Sequence, residues 1–470
     1  MAWLILAYID AVWIFANSAS RMKNPCFKTI LRSWMLVQPL VVLLIFSCQN
    51  KDQTQQAEHL GQMEAFAEMV AAGVKPIALS APLAPEEANG LFEKAEEIAK
   101  KHGVSIYREA DLVQTQLFPA DVAKGKEVLI FYSGNSLDAY LDLKKTLSDG
   151  TSGEAEARRF GRLLGYPVTH INRLLAKNSD FRTLADFGIS ATNLFLYYKD
   201  LPRARDFYHR LLGLEIVSDY GFAVTLRISQ DAFVTLVDAA VGRHKAEEPK
   251  TVAIALLTDQ LPEWYTYLQT HNVQIKYEYK PKTNNAHDGF VAVDPEGYLL
   301  EFETFKQHPE NERLMPQLRR FAALPTQSDS VAAGMGFYGA VTWLYYQDMQ
   351  AAQLFYEEKM GFELIVDQGW AKVYRVSETG YVGLVDERRG MHRYTELKGT
   401  SISFIVKDWE GWHGYAQANQ PLPIIKERYT GKDGRYEAFV GEDPGKYFLE
   451  FNQFLEHPDN KRLLEVLGEK

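Results

Sequence analysis

The sequence predicts an α+β protein: two tandem copies of one domain, each copy built from two βαβββ units, behind a smaller α/β domain. Three observations carry this. First, the carboxy-terminal half repeats itself. LYYKDLPRARDFYHRLLGLEIV, GFAVTLRISQDAFVTLVD and DPEGYLLEFETFKQHPENERL return in the same order as LYYQDMQAAQLFYEEKMGFELIV, GWAKVYRVSETGYVGLVD and DPGKYFLEFNQFLEHPDNKRL. Asp200 corresponds to Asp348 and Glu301 to Glu450, at offsets of 148 and 149 residues, so the copies stay in step. A period this long marks duplicated domains, since solenoid repeats run to roughly 20–50 residues. Second, hydrophobic periodicity within each copy passes twice through the order strand, helix, strands. Third, 470 residues is the length of about three domains.

The elements of the first copy follow from these patterns. Asn193–Tyr198 alternates as a strand. A helix over Pro202–Leu212 is started by Asp200, whose carboxylate caps free backbone N–H groups, and is stopped by Gly213 in a left-handed conformation. Phe207 and Tyr208 fall on its buried face. Strands follow over Gly221–Ile228 and Phe233–Asp238. The pattern then restarts with a strand at Val252–Leu257, a helix at Leu261–His271 and strands ending at Leu299–Phe305, the last entered through the Asp294–Gly297 turn. The second copy gives Val341–Tyr346, Gln350–Met360 (capped by Asp348, stopped by Gly361), Gly369–Val376, Tyr381–Asp386, Ser401–Val406, Trp409–Asn419 and Phe439–Phe454. His308 and His457 each precede a proline, which reads as a helix start rather than a ligand pair. The copies thus span 190–307 and 338–457, with a helix and linker at 308–337 and a C-terminal helix at 458–470.

Residues 66–187 read as a separate α/β domain. A helix at Pro85–His102 runs from acidic to basic and stops at Gly103. Strands at Val104–Tyr107 and Glu127–Tyr132, a helix at Leu137–Leu147, and a further helix closed by Gly165 and Pro167 complete it. Ser133-Gly134-Asn135 is a turn, His170 is structural, and no motif in this domain carries chemistry. Residues 49–65 are polar and Gln-rich, the composition of a tether.

Before the tether, Lys23, Lys28 and Arg32 precede an apolar run at Leu36–Phe46 that is short for a spanning helix and ends at Phe46-Ser47-Cys48. This resembles a bacterial lipoprotein signal, which implies lipidation of Cys48 and an exported, membrane-anchored protein facing the periplasm or the cell surface. Residues 1–21 then lie upstream of a better start at Met22. The two cysteines, Cys26 and Cys48, both lie in the first fifty residues. The globular body therefore holds no disulfide, thiolate metal site or catalytic cysteine. A net charge of −10 gives no electrostatic footprint for nucleic acid.

The quoted strand–helix and DP-turn signatures resemble the vicinal oxygen chelate superfamily of glyoxalase I, bleomycin-resistance proteins and extradiol dioxygenases. The resemblance implies paired βαβββ units forming a U-shaped cleft, and often a divalent metal (Fe, Mn, Zn or Ni) inside it. It places metal ligands on the first and fifth strands and a glutamate on the last strand of each copy. Here the first-strand positions are Asn193 and Val341, and the fifth-strand positions are Ala253 and Ser401, so no histidine is present. Only Glu301 and Glu450 remain, and a lone carboxylate holds a transition metal poorly. Asn193 offers a carbonyl oxygen to the site of the first copy.

Strand alternation turns Asn193, Phe195 and Tyr197 toward the cleft of the first copy, together with Ala253 and Ala255. It turns Val341, Trp343 and Tyr345 toward the second, with Ser401 and Ser403. Arg227 and Arg375 recur and are candidates to grip an anion. Aromatic walls with few polar groups suit a flat or apolar small molecule. Three functions stay open: a small-molecule binding protein without His-ligated metal, a metal-dependent lyase or dioxygenase with unknown catalytic residues, and an interaction scaffold in which the copies pair or the chain dimerises.

Overall fold

The computed structural model describes residues 54–119, 121–148, 153–419 and 422–468. The predicted signal segment and its Cys48 lie outside the described residues. The chain divides into two compact units after Pro167. No helix among the described residues is long and apolar enough to cross a membrane.

In the first unit, helix α1 (54–71) is followed by β1 (Ile77–Leu79), α2 (Pro85–His102), β2 (Ser105–Glu109), β3 (Val128–Tyr132), α3 (Ser136–Ser148) and α4 (Glu154–Leu163). The three strands form an antiparallel sheet in the order β1-β3-β2. Polar composition hid the start of α1, residues 54–65, inside the predicted tether. Met63, Ala67 and Val70, spaced for one helical face, bury against Leu91, Ala95 and Leu129 and so order it. Gly103 ends α2 at φ 69°, as its position implied.

The second unit begins earlier than the predicted boundary at 187, with α5 (Val168–Asn178). The first copy then gives β4 (Ile189–Tyr198), α6 (Leu201–Arg205, continued as a π-helix over Asp206–Leu211), β5 (Glu215–Asp219), β6 (Ala223–Ser229), β7 (Ala232–Asp238), β8 (Val252–Leu257), α7 (Leu261–Thr270), β9 (Ile275–Tyr277), β10 (His287–Val293) and β11 (Leu299–Phe305). A short β12 (Leu324–Pro325) and β13 (Gly336–Phe337) pair occupies the linker. The second copy gives β14 (Gly339–Tyr346), α8 (Met349–Leu354, continued as a π-helix over Phe355–Lys359), β15 (Glu363–Asp367), β16 (Ala371–Arg375), β17 (Gly380–Asp386), β18 (Thr400–Val406), α9 (Trp409–Asn419), β19 (Ile424–Thr430), β20 (Tyr436–Glu442) and β21 (Phe448–Phe454), then α10 (Lys461–Gly468).

These strands form two eight-stranded sheets, as the α+β reading requires, but each sheet mixes the copies. One runs β15-β16-β17-β14-β8-β11-β10-β9, the other β19-β20-β21-β18-β4-β7-β6-β5. The second half of copy one therefore joins the first half of copy two through the antiparallel β8–β14 pair. The first half of copy one joins the second half of copy two through β4–β18. Sequence repetition cannot discriminate this from pairing within each copy, because either scheme joins one first half to one second half.

The repeated signatures build a clamp between the sheets. In copy one, Tyr198 of β4 and Tyr208 of α6 donate to Asp294 Oδ2 at 2.6 and 3.2 Å, while the backbone N–H groups of Glu296 and Tyr298 donate to its Oδ1. In copy two, Tyr346 and Tyr356 donate to Asp443 Oδ2 at 2.6 and 3.0 Å, and Gly445 and Tyr447 supply the N–H groups. Each clamp ties a strand of one sheet to a turn of the other, because the halves of a copy lie in different sheets. Burial pushes both aspartates above the ordinary carboxylate range, the hydrogen bonds opposing it.

A second link joins equivalent positions of the copies. Asp231, fully buried in the β6–β7 turn, accepts from Thr379 N and Oγ1 at 2.7 Å, and from Ser377 Oγ and Glu378 N at 2.9 Å, all in the β16–β17 turn. Thr379 is the position in copy two that Asp231 occupies in copy one. The two turns thus meet across the pseudo-twofold axis that relates the copies, the Asp231 carboxylate accepting while Asp231 N donates to Thr379 Oγ1 at 3.1 Å.

The helix boundaries behave as their residues imply. The Asp200 and Asp348 side chains accept from Arg203 N and Ala351 N. Gly213 and Gly361 stand at φ 73° and 74°. His308 and His457 accept from Glu310 N and Asp459 N at short 3-10 helices. Their recurrence is a capping device.

Candidate functional site

The sheet pairing redistributes the predicted cleft residues. Asn193, Phe195 and Tyr197 do face a cleft, but the strand beside them is β18, with Ser403 opposite Asn193 and Ser401 opposite Phe195. Ser403 in turn pairs with Glu450 on β21. Asn193, Ser401, Ser403 and Glu450 therefore share one site, where the sequence reading had divided them between two. Ala253, Ala255 and Glu301 instead lie beside Val341, Trp343 and Tyr345. Arg227 turns away from the cleft to donate to the carbonyls of Ser229 and Gln230, and Arg375 pairs with Glu363 at 2.8 Å. Neither arginine faces a cleft.

The larger cleft holds a cavity of about 490 Å³, within the range of ligand pockets. Phe195 and Tyr197 of β4, Tyr220 and Phe222 at the β5–β6 turn, and Tyr429, Tyr436 and Phe454 of the β19–β21 hairpins line it. Arg243 and Lys426 stand at its exposed rim and lie over the rings of Phe448 and Tyr429. Among the described residues neither cation has an ion-pair partner. At the floor, Glu450 accepts from Tyr429 OH at 2.9 Å and from Asn452 Nδ2 at 3.1 Å. Burial raises its carboxyl above the ordinary range, although both donors and the charges of Arg243 and Lys426 oppose the shift.

One wall carries a hydrogen-bonded row. Glu248 Oε2 lies 2.7 Å from His244 Nδ1, and Ser401 Oγ lies 3.1 Å from His244 Nε2. Tyr197 OH lies 3.3 Å from the same Ser401 Oγ. Lys245 N donates to the second Glu248 oxygen at 3.1 Å, and the imidazole stacks on Phe448. Burial holds His244 below its ordinary value in spite of Glu248. Sequence reasoning passed over Arg243, His244, Glu248 and Lys426, which lie in connectors or on an irregular edge strand. The available signal was recurrence, since His244 and Glu248 return 148 residues later as His392 and Glu396.

The smaller cleft has a cavity of about 100 Å³, lined by Glu301, Glu303, His287, Trp343, Tyr345 and Trp370 among others. Trp343 fills the space above Gly383, where an added Cβ would collide with its ring. Thr235 occupies the Gly383 position in the larger cleft, which stays open. Burial raises Glu301 and Glu303, and the neighbouring Glu301 charge raises Glu303 further.

Neither donor set suits the divalent metal that the resemblance implies. Asn193 spends its Oδ1 on Thr235 Oγ1 at 3.0 Å, and the carboxylate oxygens of Glu450 both receive donors. Glu301 has Ala255 and Val341 beside it on the neighbouring strands. Among the described residues no group of three or more His, Cys, Asp or Glu is placed to hold a metal ion. In the larger cleft, neutral amide and hydroxyl groups around a single carboxylate are a weak set for a transition metal, and in the smaller cleft Glu301, Glu303 and His287 line the cavity without being gathered around one ion position.

Residues 189–302, almost all of copy one, match the profile of the Glyoxalase/Bleomycin resistance protein/Dioxygenase superfamily. No curated protein sequence matches the chain. Among solved structures, the chain is similar to a putative dioxygenase from Bacillus subtilis at 17% identity and a TM-score of 0.41, covering 60% of this chain and 90% of that one. Glyoxalase I from Zea mays aligns at 14% identity and a TM-score of 0.40, covering 58% and 94%. Lactoylglutathione lyase from Agrobacterium tumefaciens aligns at 22% identity and a TM-score of 0.21, covering 24% and 96%.

Proposed function

We propose that this protein binds a small aromatic or apolar molecule bearing an anionic group, in the larger cleft and without a His-ligated metal. The observation that carries the reading is the roughly 490 Å³ aromatic cavity with two unpaired cations, Arg243 and Lys426, at its rim. Aromatic walls supply apolar area and stacking for a ring system, and the cations supply its counter-charge. Glu450 at the floor sets a pH dependence. An anionic ligand is repelled by the carboxylate and accepted by the neutral acid, whose protonation range burial has raised. Titration calorimetry with 2-naphthoate therefore shows one site per chain that tightens as pH is lowered. Glu450→Gln removes that dependence. A failure of 2-naphthoate and related aryl carboxylates to saturate any site contradicts the reading.

The same proposal places the protein on a membrane through Cys48, on the strength of the basic, apolar and Ser-Cys pattern before it. Expression of the full chain in a bacterial host fed labelled palmitate gives a labelled protein that begins at Cys48, and Cys48→Ser abolishes the label. Unlabelled wild-type protein contradicts the anchor.

A further inference from the structure

The row Glu248–His244–Ser401 opens onto the cavity that the binding reading uses, and its order is that of an acid, a base and a nucleophile. Its distances, 2.7 and 3.1 Å, are those of a base oriented by a carboxylate and hydrogen-bonded to a hydroxyl. Glu248 is itself fixed by Lys245 N. Buried among Tyr197 and Phe448, His244 is held below its ordinary value and so is neutral, hence basic, near pH 7.

The duplication supplies an internal comparison. In the smaller cleft the equivalents of His244 and Glu248 are His392 and Glu396, but Ala253 stands where Ser401 stands. There the buried His392 Nε2 has no hydrogen-bond partner. The hydroxyl is present only in the cleft that has room for a ligand.

The geometry points to an acyl-transfer site: Ser401 is the nucleophile toward aryl esters that carry an anionic group, His244 is its base, and Glu248 is a positioning residue. This inference rests on ligand binding in the same cleft. Ser401 Oγ bonds to the acyl carbon as its proton passes to His244 Nε2, and the carbonyl π electrons move to the oxygen. Tyr197 OH, 3.3 Å from Ser401 Oγ, and the nearby Arg243 are placed to receive the oxyanion. The carbonyl re-forms, the ester C–O bond breaks, and the leaving phenol takes the proton from His244. Water then repeats the sequence on the acyl-serine. The sum is ester plus water to acid plus phenol, with no oxidant or further reactant.

The full chain is treated with a fluorophosphonate probe, and turnover of 4-acetoxybenzoate is followed in parallel. We expect one covalent adduct, mapped to Ser401 by peptide mass spectrometry. Ser401→Ala and His244→Gln should lower turnover at least a hundredfold. Glu248→Gln should lower it about tenfold and shift the pH–rate profile, which a purely structural role would not do. Ser401→Ala is expected to fold, since alanine already occupies the equivalent strand position at Ala253, and 2-naphthoate binding to it reports an intact cleft. Absence of an adduct on Ser401, or turnover unchanged in Ser401→Ala, overturns the inference while retained 2-naphthoate binding leaves the binding reading standing. Loss of 2-naphthoate binding in the wild type would instead remove the reading beneath it.

Discussion

Asp231→Ala is expected to destabilise the two-sheet unit by about 3–5 kcal/mol, because it strands several buried donors at about 1–3 kcal/mol each. Thr379 N and Oγ1, Ser377 Oγ and Glu378 N all lose their acceptor, and Ser377 and Thr379 are buried. The cause can be separated from loss of bulk. Asp231 and Thr379 are equivalent residues of the two copies, so Thr379→Asp alone places two carboxylates against each other and destabilises comparably. The exchange Asp231→Thr with Thr379→Asp restores one acceptor and one donor across the pseudo-twofold axis. Urea unfolding of the four proteins measures the coupling, which a double-mutant cycle isolates. Additive losses, with no recovery in the exchanged protein, would show that these turns are not partners.

Arg243→Glu is expected to weaken 2-naphthoate binding at least tenfold, about 1.4 kcal/mol or more. It replaces a rim cation with a charge that repels the ligand. The wild-type affinity falls with added salt, since the rim is exposed and screened, and the variant loses much of that salt dependence. Arg375→Glu is the contrast. Arg375 recurs in the sequence as prominently as Arg227, but it pairs with Glu363 outside the cleft. Its replacement leaves 2-naphthoate affinity unchanged in calorimetry.

How much of this was legible in the sequence depends on whether the signal is local. Asp200 and Asp348 cap their helices, Gly213 and Gly361 take the left-handed conformation, and β8 and β11 have the predicted bounds, because each follows from neighbouring residues. The alternation that turned Asn193, Phe195 and Tyr197 inward is local too. The partners of those residues were not legible. Copy symmetry makes β4 equivalent to β14 and β8 to β18, so only long-range packing chooses which strands meet. That choice brings Ser403 and Glu450 to Asn193 and Ser401 to Phe195, and takes Glu301 away from them. Arg243 and His244 follow β7 in a connector without periodicity, and their role appears only once β18 and β19 lie across from them. The start of helix α1 was missed for a simpler reason: its Gln-rich first turns read as a tether, yet Met63, Ala67 and Val70 bury one face when a sheet and a second helix are there to receive it.

The most direct test of the central claim, a single ligand cleft built from both copies, is photolabelling of the full chain with 4-benzoylbenzoate, an aryl carboxylate that crosslinks where it binds. Saturable labelling, suppressed by 2-naphthoate, is expected. Labelled peptides should come from both the 195–243 and the 426–454 stretches, which line the roughly 490 Å³ cavity. Saturable labelling confined to one copy, or directed to the smaller cleft around Glu301 and Trp343, would contradict it.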